Sequence, residues 1–152
     1  MSSVPPPPPP PSGMSPVPSA ELAPWGVRAL GYLVDYFVIA IPVGILYFVG
    51  IAIGDSFGAI ILLVGWALAI GLWVWNRGMK QGAGQSIGKE MLGTRLVGAQ
   101  TGQPIGTGMA LLRDLAHILD SLLCYVGWLW PLWDEKRQTF ADKVMTTYVY
   151  KV

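Results

Sequence analysis

From Ala29 to Gly54 the chain carries one charged side chain, Asp35, and from Ser56 to Asn76 it carries none. Each run meets the roughly 20 residues that a helix needs to cross hydrocarbon about 30 Å thick. In lipid a backbone must satisfy its own hydrogen bonds, so the runs are predicted to be helices. The expected spans are about 27–50 and 56–76. Gly50, Gly54, Asp55 and Gly58 lie between them and predict a tight connection, making a helical hairpin. The three glycines also match a small-residue helix-packing motif. Charged residues make up 12% of the chain, about half the share in a soluble domain. The net charge of +1 offers no field for nucleic acid.

Basic residues give the orientation. The connection at Asp55 has none, whereas Arg77, Lys80, Lys89, Arg95 and Arg113 follow the second run, against Glu90 and Asp114. The positive-inside rule makes 77–108 a cytoplasmic loop, with the N-terminus on the same side. Trp25 and the pair Trp73 and Trp75 would anchor the two helix ends at one headgroup layer. Residues 1–24 read as a separate region, with seven consecutive prolines from Pro5 to Pro11. No basic or apolar signal-peptide pattern accompanies them. They are expected to form a disordered, semi-rigid cytoplasmic leader; the alternative is a docking site at 5–11 for a proline-recognising partner.

Within 77–108, Gln85-Ser86-Ile87-Gly88-Lys89 resembles a phosphate-binding loop, but Ala83 and Glu90 stand where that motif needs glycine and Ser or Thr. Thr94 to Ala99 and Thr146 to Tyr150 are dense in strand formers, and Thr101-Gly102 reads as a turn. If the strands pair, they form a small cytoplasmic β-hairpin. A third membrane segment is expected at about 109–133, where Leu115 to Trp133 is long enough for one crossing. Lys136, Arg137, Lys143 and Lys151 in the tail favour the cytoplasm, which a re-entrant segment broken at Gly127 or Pro131 would satisfy. A plain third span is the other reading. The fold class is therefore an all-α membrane protein, with a transmembrane hairpin, a third segment that spans or re-enters, and the small β element.

An eight-residue pattern occurs twice. Arg28-Ala29-Leu30-Gly31-Tyr32-Leu33-Val34-Asp35 and Arg113-Asp114-Leu115-Ala116-His117-Ile118-Leu119-Asp120 each read Arg, any, Leu, small, ring, two aliphatics, Asp. Seven residues are almost two helical turns, so Arg and Asp share a face about 10 Å apart along the axis. His117 lies on the face of Arg113 and Asp120, and histidine titrates near neutrality. If the two faces meet, Asp35 should approach Arg113 or His117, and Asp120 should approach Arg28. Such intramembrane charges serve either as a structural clasp or as a proton or cation path. Ser121 lacks the strand-turn-helix setting of a nucleophile, so no enzyme is expected. Lone Cys124, in an apolar stretch, reads as a small buried hydrophobe. No cofactor or metal is expected.

Taken together, these residues resemble the RDD family of bacterial membrane proteins, named for one arginine and two aspartates. The resemblance covers Trp25 to Val152. It rests on Arg28 and Asp35, Gly84-Gln85-Ser86-Ile87-Gly88-Lys89, Gly93-Thr94-Arg95-Leu96-Val97, Leu112-Arg113, and Arg137-Gln138-Thr139-Phe140-Ala141-Asp142-Lys143. It implies that Asp142 is the second signature aspartate, with Asp120 the other candidate. Ala141 replaces a frequent histidine. Ion or proton antiport has been proposed for some members. The expected function is thus a multi-pass bacterial plasma-membrane protein of residues 25–152, transporting a cation or proton through Arg28, Asp35, Arg113, His117, Asp120 and Asp142. So few spans cannot enclose a conduit, so the lipid-embedded chain would form a homo-oligomer or join another membrane protein. The alternative is a non-transporting accessory or assembly protein. With Cys124 replaced, a cysteine introduced at 55 should label from outside intact cells, and one at 89 should not; the reverse would invert the orientation.

Overall fold

The computed structural model describes residues 21–122 and 124–152, so the proline run and its docking reading lie outside the described residues. Helix α1 (Trp25–Ile53) begins immediately after Pro24, and Gly54 joins it to α2 (Asp55–Trp73). Both are long and apolar enough to cross a membrane. The joint falls where the glycines predicted it. Gly50 and Gly58 also meet face to face: a Cβ on Gly58 would overlap the Gly50 carbonyl oxygen. These two glycines therefore serve helix packing as well as the turn.

Helix α2 runs on into a π-helical stretch, Val74–Lys80. Its wider turn buries Asn76, Arg77 and Gly78 in succession, which a regular helix of 3.6 residues per turn would not do on a one-sided contact. The chain then folds through α3 (Ile87–Met91), capped by Ser86, into β1 (Thr94–Gly98). Helix α4 (Gly106–Leu122) follows, then α5 (Val126–Leu129), the 3-10 turn Trp130–Leu132, α6 (Phe140–Val144) and β2 (Thr147–Lys151).

β1 and β2 pair antiparallel from Thr94 opposite Lys151 to Gly98 opposite Thr147. The expected pairing forms, but not as a hairpin, because residues 99–146 lie between the strands. The Thr101-Gly102 turn instead folds back on the end of β1, with the Gly102 amide donating to the Gly98 carbonyl at 2.8 Å. On its other edge β2 takes up residues before α1. Leu22 bridges Tyr150, and the Ala23 amide donates to the Val149 carbonyl at 2.9 Å. Ala23, Leu96 and Val149 form the small apolar core, with Ile105 packed on it. Residues 21–24 thus belong to the fold, and the boundary expected after residue 24 moves towards the N-terminus.

Helices α4 and α5–Leu132 meet at 108°. The break carries Cys124 and Tyr125 at φ of 51° and 62°, the left-handed region that side chains resist. Gly127 and Pro131, expected to break the segment, do other work. Gly127 packs against Asp120 and the Phe140 ring, and Pro131 sits in the opening turn of the 3-10 helix, where its missing N–H costs nothing. Cys124 is exposed, not buried, because it rides on the outside of this corner.

Side-chain placement is inverted relative to a soluble domain. Leu33, Phe48, Leu63, Trp66 and Leu122 point outward, whereas Asp35, Asn76, Arg113, Asp120 and Asp142 are fully or almost fully buried. Gly58→Ala should cost about 1–3 kcal/mol by overpacking the hairpin and lower the melting temperature in detergent. Gly71→Ala, with nothing near its added Cβ, should leave it unchanged.

Candidate functional site

Three buried polar centres lie at one end of the α1–α2 hairpin. The first surrounds Asp35, nearly three turns into α1. Its carboxylate accepts from Asn76 Nδ2 at 2.8 Å, Arg77 Nη1 at 3.0 Å, Ser86 Oγ at 2.6 Å and the Gly88 amide at 2.8 Å. Asn76 Oδ1 in turn accepts the Ile87 amide at 2.8 Å. The loop resembling a phosphate-binding loop is therefore plugged into the hairpin by Asp35. Gly88 permits it: a Cβ there would run into the Gly31 carbonyl on α1. Arg77 continues the chain of charges, donating from Nε to Asp114 at 2.9 Å and from Nη2 to the same oxygen. Trp73 Nε1 donates to the other Asp114 oxygen at 2.7 Å, and Arg77 lies over the Tyr32 ring.

The second centre is Asp142, on α6 and wholly buried. Arg113 donates to it from Nε at 2.8 Å and Nη2 at 2.6 Å, and Arg28 Nη2 donates to its other oxygen. Thr147 Oγ1 adds a bond at 3.1 Å. Locally, Asp142 closes a capping box with Thr139, each side chain accepting the other's amide, at 3.1 and 3.2 Å. Burial alone would push the Asp142 carboxyl up, but Arg113 and Arg28 outweigh it and hold it well below the usual carboxylate range.

The third centre joins His117 Nδ1 and Asp120 Oδ2 at 2.5 Å. Asp120 Oδ1 accepts the Phe140 and Ala141 amides at 2.8 and 3.3 Å, capping α6 from another helix. The His117 ring stacks on Trp128, 4.4 Å between centroids. Trp25 Nε1 donates to the Trp128 carbonyl at 2.8 Å, so this tryptophan fastens α1 to α5 as well as standing at a helix end.

Of the six residues singled out in the sequence, Arg28, Arg113 and Asp142 meet, and His117 meets Asp120. Asp35 stands with a different set. The expected contacts of Asp35 with Arg113 or His117, and of Asp120 with Arg28, do not form. The two Arg-to-Asp faces are joined through intermediaries: Arg77 and Asp114 link Asp35 to α4, and Asp142 links Arg28 to Arg113. Sequence reasoning missed Asn76, Arg77, Ser86 and Asp114. In the sequence Arg77 counts only as a positive-inside residue, and its one signal is its place directly after an uncharged span, beside Asn76.

Two cavities adjoin these centres. One, about 150 Å³, lies between α1, α3, α4 and β2, with Arg28, Arg77, Lys89, Arg113 and His117 on its wall. The other, about 350 Å³, is a crevice on the flank of α1, lined by Asp35, Tyr36, Trp73, Arg77 and Asp114. Burial pushes the Lys89 ammonium well below its ordinary value, and Arg77 and Arg113 push it further.

The sequence profile of the RDD family matches residues 22–146. This chain belongs to the RDD family. The RDD match begins at Leu22, where β2 takes up the segment before α1, and it includes all three polar centres apart from Thr147. Among curated relatives, the proline-rich antigen homolog of Mycobacterium tuberculosis strain H37Rv is 40% identical over 153 aligned residues, covering 86% of this chain and 64% of the relative. The proline-rich antigen of Mycobacterium leprae is 53% identical over 83 residues, 54% of this chain and 33% of that protein. The RDD chain thus spans less than two thirds of the relatives it matches. No solved structure matches it significantly.

Replacing Asp142 by Asn would leave Arg113 and Arg28 facing each other, a loss of about 3–5 kcal/mol for a broken buried pair. Because the folded carboxyl titrates below its unfolded value, this stability is present above about pH 4 and fades as pH falls further. Thermal unfolding in detergent should show Asp142→Asn well below wild type at pH 7, with the gap narrowing in acid.

Proposed function

We propose that this RDD protein is a non-transporting accessory protein of the bacterial plasma membrane, whose buried charges assemble the fold rather than carry ions. The observation that carries the reading is saturation of the carboxylates. Asp35 accepts from four different residues, and Asp142 from two guanidiniums, a threonine hydroxyl and a backbone amide. A carrier carboxylate must exchange its proton or ion, whereas these are locked in charge-assisted hydrogen bonds from fixed donors.

The same reading gives the topology. β1 and β2 pair, so they lie on one side of the bilayer, and the α4–α5 segment between them re-enters and returns instead of crossing once. Leu22 on the edge of β2 brings the start of α1 to that side, and Arg77 and Lys80 put it in the cytoplasm by the positive-inside rule. The protein is then multi-pass, with both hairpin ends cytoplasmic. Its role is to present this cytoplasmic-face module to another membrane protein or to a second copy, with the proline run available to a proline-recognising partner. We assign it no reaction. Ser121 accepts from Trp128 Nε1 at 3.0 Å and donates to the His117 carbonyl, so its hydroxyl is not turned to the imidazole.

The crevice beside Asp35 favours a second reading, a cation or proton path along α1. Flux separates the two. Proteoliposomes of the purified protein should pass no more sodium or protons than empty vesicles, and Asp35→Asn should reduce the yield of folded protein. Sodium or proton flux that Asp35→Asn abolishes at unchanged folded yield would replace the accessory assignment with transport.

A further inference from the structure

The charges around the smaller cavity are sorted by sign. Arg28, Arg77, Lys89 and Arg113 all line it, and no aspartate or glutamate does. Their carboxylate partners Asp35, Asp114 and Asp142 lie behind the guanidiniums, out of the void. Asp142 takes Nε and Nη2 of Arg113, leaving Nη1 outside that pair. Lys89 is the odd member. Its Nζ donates to the neutral Gln81 Oε1 at 2.7 Å, and it forms no ion pair among the described residues. The Nε2 of the same Gln81 is buried without a hydrogen-bond partner among the described residues. A lone ammonium held among three guanidiniums is an unfavourable arrangement unless something negative joins it.

We propose that this cavity binds a phosphate group, with Lys89 as its principal ligand and Arg28 and Arg113 completing the cradle. A pocket walled by four basic side chains, with Thr94 and Thr139 also on its lining, suits a tetrahedral oxyanion. Its volume corresponds to roughly ten to fifteen waters at about ten to fifteen cubic ångström each, room for a phosphate with an ester substituent. The remaining wall is apolar and aromatic, with Trp25, Tyr32 and Trp128 beside the first turns of α1. That is the headgroup depth of a membrane helix, where basic pockets meet anionic lipids. A phosphate monoester on a lipid is therefore the favoured source, and a soluble phosphate the other. Bound phosphate would also draw the Lys89 ammonium back towards its ordinary value, since burial and its cationic neighbours are what depress it. The site stands whether or not ions cross the membrane.

The test uses the full chain purified in neutral detergent, titrated with dihexanoyl phosphatidic acid, dihexanoyl phosphatidylcholine and inorganic phosphate while melting temperature is followed. Phosphatidic acid should stabilise the wild type more strongly than phosphatidylcholine. Lys89→Gln, which can keep the contact to Gln81, should weaken that binding by roughly tenfold or more, the loss of one charge-assisted bond. Lys151→Gln, on the surface, should not. If inorganic phosphate stabilises at concentrations similar to phosphatidic acid, the site takes soluble phosphate; if only the lipid does, it takes headgroups. Equal stabilisation by the two lipids in the wild type would overturn the proposal, and that comparison needs no variant. So would unchanged affinity in folded Lys89→Gln.

Discussion

One carboxylate, Asp142, is shared by Arg28 from the first helix and Arg113 from the fourth, and most of the tertiary arrangement hangs on that sharing. Arg113 is almost fully buried and Arg28 only slightly exposed, and neither would tolerate the other without the anion between them. Asp142 can stand there because α6 is only one turn long and is capped twice, by Thr139 from within and by Asp120 from α4. The two caps aim the aspartate inward, at the guanidiniums. Three elements far apart in sequence are thereby fixed by a single side chain, and β2 follows directly from the end of the same short helix.

The Asp35–Arg77–Asp114 chain repeats the logic with the signs exchanged: one guanidinium between two carboxylates. Alternation of this kind lets a polar interior survive next to hydrocarbon. Each charge is neutralised in turn, and the apolar side chains are released to the outer surface, where lipid is the solvent. The hydrophobic effect does not hold these helices together inside a bilayer, so glycine contacts and charge-assisted hydrogen bonds carry the specificity.

Much of this was legible in the sequence. The length and purity of the apolar runs identified the hairpin, and strand formers at 94–99 and 146–150 identified both strands. Asp142 is singled out only by family resemblance, and its pairing with Arg28 and Arg113 is not legible in the sequence. Residue pattern alone suggested a symmetric clasp between the two Arg-to-Asp faces. That expectation failed because helical spacing reports which residues share a face, not which face another element covers. The π-helical register that turns Asn76 and Arg77 inward leaves no signature in hydropathy. Likewise, Leu22 and Ala23 follow a proline-rich stretch and look like linker; their strand pairing depends on a partner more than a hundred residues away.

That separation has a consequence in time. Arg28 and Asp142 are 114 residues apart, and ribosomes add about 5–20 residues per second. Arg28 therefore exists roughly 6 to 23 seconds before the anion that neutralises it, and the hairpin that carries it can enter the bilayer within that time. In that interval Arg28 must snorkel to the headgroups, and the edge that will receive Leu22 has not been made. Insertion and tertiary closure are therefore successive events. A chain halted between them is a membrane-anchored intermediate with exposed cations, the form that cellular quality control would meet first.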